Sequence, residues 1–173
     1  MAEVIKVIGK NAFVQVFEST RGMRVGDEAE FEGHMLEVTL GPGMLSRNYD
    51  GLQNDLDKME GVFLRRGEYT FPLDNDKLWD FKPLAKVGDK VAAGGWLGEV
   101  DENFQPHKIM VPFTFKGEYT VKSLKEAGQY TIGEVIAVLT DETGKDVEVT
   151  MIQRWPVKRA ITCYKEKPRP YKL

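Results

Sequence analysis

The chain has 173 residues, of which 42% are hydrophobic and 29% are charged, and its formal net charge is −3. This composition is typical of one folded domain or two small ones, and it excludes a disordered chain and a large multidomain enzyme. The longest apolar run, Val135–Leu139, has five residues. A membrane-spanning helix needs about 20, so we expect no direct membrane insertion. The single cysteine, Cys163, cannot form a disulfide within the chain, which fits a cytoplasmic location.

The first 45 residues predict a small β unit. Residues 3–8 and 12–17 are rich in β-branched and aromatic side chains, and the turn residues Gly9-Lys10-Asn11 separate them, so we expect a β-hairpin. From His34 to Leu40 apolar and polar side chains alternate, which is typical of a half-buried strand.

The segment between Tyr49 and Met59 is the best helix candidate in the sequence. Its apolar residues recur at helical spacing, so a helix would bury them along one stripe and leave the carboxylates of the segment in water. The apolar positions are Leu52, Leu56 and Met59, and the carboxylates are Asp50, Asp55 and Asp57. We therefore interpret the three aspartates as a solvated helix face and not as a catalytic pair.

Beyond Gly61 short strand-like segments alternate with glycine-containing turns. Trp79 and Phe81 alternate with polar neighbours, which predicts a strand buried on one face. Further strands are predicted at 91–100, 108–113, 118–124, 134–139 and 146–153. This spacing is typical of a sandwich or a small barrel.

The predicted fold is therefore mainly β and has four segments. They are a partial N-terminal β-barrel over residues 1–45, a helical bridge over 46–61, a second, barrel-sandwich-like β unit over 62–152, and a connector over 153–173. Residues 154–173 hold seven basic residues and one acid, which gives this segment a net charge of +6. Three prolines favour an extended conformation there, and we expect the connector to lead into a further domain of a longer protein.

No residue is predicted to act in catalysis or to bind a metal. His34 and His107 have no partner at metal-ligand spacing, and Cys163 has no histidine at a spacing that would suggest a nucleophile. Gly-Lys pairs occur only in turns, without the flanking residues of a phosphate-binding loop. The basic C-terminal segment contains aromatic residues that could stack on a nucleic acid, but the acidic remainder of the chain argues against that partner.

One stretch resembles the flattened β-barrel of biotinyl and lipoyl carrier domains. The resemblance rests on residues 86–100, residues 109–112 and Gly117. In those domains a modified lysine lies on a tight turn eight residues before the proline, and that position is Phe104 in this sequence. The resemblance implies the scaffold without the carrier chemistry.

A second resemblance covers nearly the whole chain and follows the order of its motifs. LGPGML at 40–45, GVFLRRG at 61–67, HKIMVP at 107–112 and QRWPV at 153–157 resemble the catalytic A subunits of the V-type and archaeal-type rotary ATPases. The chain resembles an N-terminal piece of such a subunit, including the insertion, or bulge domain, that distinguishes A subunits from the β subunits of the F-type enzyme.

This resemblance implies a function that belongs mainly to the full-length subunit. Such subunits hydrolyse or synthesise ATP with Mg²⁺ at the interface with the B subunit, and couple this reaction to proton or sodium transport. The Walker loop is expected beyond Leu173, so no catalytic, nucleotide-binding or metal-binding residue and no cofactor is expected in the chain itself, which should be inactive alone.

What the resemblance implies for the chain itself is a structural role. It would contribute to hexamer assembly with the B subunit and, through its insertion, to contact with the peripheral stalk subunits, in a soluble head on the cytoplasmic side of the membrane. Trp155 and Pro156 are predicted to form the seam between the insertion and the core, mainly by packing. The alternative is a free-standing β-barrel interaction module, or a biotinyl/lipoyl-like scaffold, without catalysis.

Overall fold

The structure is a computed structural model that describes residues 1–59, 67 and 69–163. Within these residues there are twelve β-strands and one turn of 3₁₀ helix, Leu56–Lys58. The strands are β1 Ala2–Ile8, β2 Asn11–Val16, β3 Glu37–Leu40, β4 Leu78–Pro83, β5 Lys90–Ala92, β6 Trp96–Glu102, β7 Gln105–Met110, β8 Glu118–Leu124, β9 Gly128–Thr131, β10 Ala137–Asp141, β11 Asp146–Val149 and β12 Gln153–Pro156. The prediction of a mainly β fold is confirmed.

The first two strands form the predicted hairpin. β1 and β2 pair antiparallel, from Ala2 opposite Val16 to Ile8 opposite Asn11. Gly9 adopts a φ of 60° in the turn, a conformation that costs glycine little. Most side chains on both strands are exposed.

Two four-stranded sheets form the larger β unit. Their strand orders are β11-β10-β8-β5 and β7-β6-β4-β9. Trp79 and Phe81 on β4 are buried as the alternation predicted, while Leu78 and Asp80 face outward. The sequence did not predict β9, whose four residues pair with β4.

The core of this unit has two clusters that both contact Leu124. The first consists of Leu73, Trp79, Phe81, Val100, Ile109, Ile132, Ile136 and Met151. The second consists of Leu97, Val111, Val121, Ala137, Leu139 and Val149. There is no room for a side chain at Gly98, because a Cβ at this position would lie 2.2 Å from Phe81 Cε2.

The helix predicted between Tyr49 and Met59 is reduced to the single 3₁₀ turn, and the prediction of its faces was wrong for Asp55 and Leu56, whereas Asp57 is exposed as predicted. Asp55 is 0% exposed, whereas Leu56, predicted to lie inward, is half exposed. Asp50 Oδ1 accepts hydrogen bonds from the backbone N–H groups of Leu52 and Asn54. Such side-chain bonds replace the i to i−4 bonds of an α-helix, so the segment folds as a series of turns.

The first residues of the predicted connector form a strand. β12 pairs antiparallel with β3, from Gln153 opposite Leu40 to Pro156 opposite Glu37. The chain thus returns, after the larger β unit, to the strand from which it left. The remaining part of the basic segment, residues 164–173, lies outside the described residues. The predicted domain boundaries stay a prediction.

Candidate functional site: the junction of β3, β12 and the 41–46 loop

Trp155 is a buried aromatic residue at the centre of β12, where it faces Val38 of β3 in the strand register. It is 6% exposed. Its ring meets that of Phe113 edge to face, with centroids 5.8 Å apart and planes at 90°, an arrangement that aromatic pairs favour. Trp155 therefore joins three segments: β12, β3 and the loop that follows β7.

Polar bonds hold the Trp155 side chain and its neighbours in place. Trp155 Nε1 donates to the carbonyl of Arg159 at 2.6 Å, and the Arg159 guanidinium lies 5.5 Å from the ring centroid. The Phe113 N–H donates to Gln153 Oε1 at 2.9 Å. The bond between Phe113 and Gln153 fixes the start of β12 to the larger β unit.

Pro156 ends the β3–β12 ladder. It has no N–H to donate, and the next backbone group, Val157 N–H, donates to the carbonyl of Leu36 at 2.9 Å. A proline is tolerated here because, within the residues that the structure describes, β3 and β12 form a two-stranded sheet, and both strands are therefore edge strands. The structure thus places both predicted seam residues on one short strand, and their role as a seam stays a prediction.

A buried carboxylate, Glu102, connects the larger β unit to the loop after β3. Glu102 is 2% exposed, and its Oε1 accepts hydrogen bonds from the N–H groups of Gly43 at 2.7 Å and Leu45 at 2.9 Å. Its Oε2 lies 2.7 Å from Nδ1 of His107. A buried carboxylate is stable only when such partners replace water, so this group fixes the loop against the β6–β7 hairpin.

Sequence reasoning did not single out Glu102. The available signal was a glutamate at an inward position of a strand, two residues after Val100 in the alternation of β6. An acidic residue at such a position requires buried partners. His107, interpreted from the sequence as structural, lies on β7 next to this carboxylate.

The turns before the 3₁₀ helix form a second polar network at the junction. Arg47 donates to the buried Asp55 carboxylate at 2.8 Å, with Lys58 Nζ 3.8 Å from the same oxygen. The Gln53 side chain bonds both backbone groups of Thr39 at 2.7 Å. Gln53 has a φ of 64°, which is uncommon for a residue other than glycine. The network therefore anchors the turns to β3.

Tyr49, two residues after Arg47, links these turns to the segment that precedes β4. Its hydroxyl donates to the carbonyl of Pro72 at 2.8 Å. Burial, followed by the negative charge of Asp55, raises the pKa of the Tyr49 hydroxyl above its ordinary value. The group therefore stays protonated and keeps donating throughout the physiological range.

The remaining candidates from the sequence do not come together. His34 lies beside Met35 and Glu32, Cys163 is a partly buried free cysteine, and Phe104 occupies the β6–β7 turn. Among the described residues we find no group of three or more His, Cys, Asp or Glu side chains that could hold a metal ion. In the same residues no helix is long and apolar enough to span a membrane. The junction's chemistry is that of packing and hydrogen bonding.

Comparison with known proteins agrees with this architecture. The family model described as "ATPsynthase alpha/beta subunit barrel-sandwich domain" matches residues 70–158. A second model, "ATP synthase alpha/beta family, beta-barrel domain", matches residues 1–33. The first match contains both four-stranded sheets and the strand that bears Trp155.

Several relatives carry the name V-type ATP synthase alpha chain. Those of Treponema denticola and Borrelia garinii are 47% and 48% identical over 172 residues, and that of Protochlamydia amoebophila is 43% identical over 175 residues. These alignments cover 98–99% of the chain and 29–30% of each relative. The chain thus spans about 30% of their length, and the resemblance found in the motifs is confirmed.

Because the barrel-sandwich match alone covers residues 70–158, more than half of the chain, the chain belongs to the ATP synthase alpha/beta family, with V-type ATP synthase alpha chains as its relatives along nearly its whole length.

Proposed function

We propose that the chain is the N-terminal part of the catalytic subunit of a V-type ATPase or ATP synthase. The full-length subunit would couple ATP hydrolysis or synthesis to proton or sodium transport, with ATP and Mg²⁺ bound by residues beyond Leu173. The observation that carries this proposal is the alignment of 98% of the chain with V-type ATP synthase alpha chains.

Within that subunit the chain would serve assembly and contact with the stator. The N-terminal β unit would help to hold the ring formed with the B subunit, and the larger β unit would project toward the peripheral stalk. Support comes from the junction, where β3 pairs with β12 and Glu102 binds the 41–46 loop. A larger β unit that is attached at several points can resist the torque that acts between the rotor and the peripheral stalk, which is the stator.

The chain alone should not hydrolyse ATP. Phosphoryl transfer requires positioned phosphate and metal ligands, and the clusters at the junction use their polar groups to satisfy one another. These groups therefore already have partners within the chain. The head that contains the chain would lie on the cytoplasmic face of the membrane.

A chimera tests the proposal. The segment of the Treponema denticola alpha chain that aligns with this chain would be replaced by the 173 residues, and the complex purified with its partner subunits. We expect assembly with Mg²⁺-dependent ATP hydrolysis above half of the natural level. The control is the same complex with the segment deleted, which should not assemble. Failure of the chimera to assemble would contradict the proposal if the chimeric subunit and the isolated 173-residue chain both fold.

Titration of the isolated chain with MgATP gives an independent test. We expect no saturable heat of binding in calorimetry, because the nucleotide site is assigned to other residues. Micromolar binding would contradict this assignment. A chain that neither supports the chimera nor binds nucleotide would instead favour the free-standing interaction module.

A further inference from the structure

The turn between β6 and β7 holds a phenylalanine in an unfavourable backbone conformation. Asn103 has a φ of 52° and Phe104 a φ of 66°, the two positive values of a type I′ hairpin turn. Asn-Gly is the sequence that such a turn favours. Asparagine tolerates this region, but for a bulky residue it is an outlier. Backbone preference therefore does not account for a phenylalanine at position 104.

Burial does not account for it either. Phe104 is 96% exposed, so its ring gains almost nothing from the protein core. Strained backbone tends to collect at functional sites, and aromatic side chains, phenylalanine included, are enriched at the cores of protein interfaces. The combination of backbone strain and nearly full exposure at Phe104 indicates a ring that is presented to a binding partner.

The turn that presents this ring has a rigid base. The Phe104 N–H donates to Asp101 Oδ1 at 2.9 Å, and Asn103 Nδ2 donates to Ser46 Oγ at 3.1 Å. The adjacent Glu102 holds the 43–45 backbone. An anchor on a fixed base loses little conformational entropy when it binds.

The surface around the turn is apolar at its centre and acidic at its margin. Leu45, next to Ser46, is half exposed, as is Leu78 at the start of β4. Asp101, whose Oδ1 accepts the Phe104 N–H, is exposed, and so is Asp80 on β4, the strand next to β6 in the sheet. Such a surface complements an apolar pocket flanked by basic side chains.

We propose that Phe104 is the anchor of a protein–protein contact, and that it inserts into an apolar pocket flanked by lysine or arginine side chains on a peripheral stalk subunit. The choice of the stalk as the partner rests on the proposed function. The acidic margin would repel an anionic membrane surface or a nucleic acid, so a protein is the partner that fits.

Replacing Phe104 by glycine separates binding from folding because the two effects have opposite signs. Glycine adopts a positive φ without strain, so Phe104→Gly should raise Tm by about 2–4 °C. The same variant should bind the purified peripheral-stalk subunits at least tenfold more weakly in biolayer interferometry. Phe104→Tyr keeps the ring and should bind within threefold of the wild type. Wild-type affinity should fall as the salt concentration rises.

Val87→Ala is the matched control, since Val87 is 65% exposed in a different turn of the same β unit. It should leave both Tm and affinity unchanged. Wild-type affinity in Phe104→Gly, with normal binding by the wild type, would overturn this inference alone. Absence of binding by the wild-type chain to any stalk subunit would overturn the proposed stator contact together with this inference, whereas the chimera would still report on the ATPase assignment.

Discussion

Trp155→Ala is expected to destabilise the chain strongly, because Trp155 joins β12 to β3 and to the Phe113 loop. Truncation of a buried tryptophan costs about 3–5 kcal/mol, and the loss here includes the edge-to-face contact with Phe113. We take the lower end, about 3 kcal/mol, because the β3–β12 sheet has two strands in the described part of the chain and can partly collapse around the gap. For a chain of this length Tm should then fall by about 6–12 °C.

Thermal unfolding followed by circular dichroism measures this shift, and hydrogen exchange locates it. Exchange should accelerate first in β3, whose only strand partner among the described residues is β12. Trp155→Phe keeps a ring against Phe113 and removes the Nε1 bond to the Arg159 carbonyl, so it should cost about 1 kcal/mol.

Trp96→Ala is the matched control, because Trp96 is an exposed tryptophan at the start of β6. It should lower Tm by less than half as much as Trp155→Ala. A fall of under 2 °C in Trp155→Ala, or a larger fall with unchanged exchange in β3, would show that Trp155 does not hold the junction.

Three further changes probe the rest of the unit. Glu102→Ala leaves two backbone N–H groups without their acceptor and should cost about 2–4 kcal/mol in denaturant unfolding; Glu102→Gln keeps an oxygen and should lose at most half as much, and equal losses would contradict the hydrogen-bond explanation. Gly98→Ala puts a Cβ 2.2 Å from Phe81 Cε2 and should cost about 3 kcal/mol; an unchanged denaturation midpoint would show that the ring moves freely. The hydrogen bond from Lys122 lowers the pKa of Asp146, so the stabilisation from this carboxylate is present above its unfolded pKa of about 3.9 and is lost as the pH falls through its folded value. The Tm difference between the wild type and Asp146→Asn should therefore be constant from about pH 5 to pH 8 and shrink below about pH 4, and a difference that grows on acidification would contradict the assignment.

Local sequence patterns were sufficient where one strand's own alternation determines its burial. Trp79 and Phe81 follow a period of two and both lie in the core. The β1–β2 hairpin depends on a turn and on residues close to it in sequence. For such elements the information is contained within about ten residues.

The junction could not be predicted in this way because its contacts join distant residues. Gln153 pairs with Leu40, and Glu102 binds the N–H of Gly43. Helical spacing predicted a solvent-exposed Asp55 because it does not reveal which basic residue will fold against the carboxylate. In the fold Arg47 neutralises this buried charge. Burial of a charge is determined by what folds against it, and periodicity does not contain that information.

The pairing of Leu40 with Gln153 has a consequence for the modularity of the chain. Two antiparallel strands whose neighbouring ends face each other have the geometry of a β-hairpin, in which two residues suffice to connect them. Everything between these ends, residues 41–152, therefore leaves and re-enters the β3–β12 ladder at one place. An excursion of this kind can be lengthened, shortened or transplanted onto another hairpin without changing the direction of the strands that carry it.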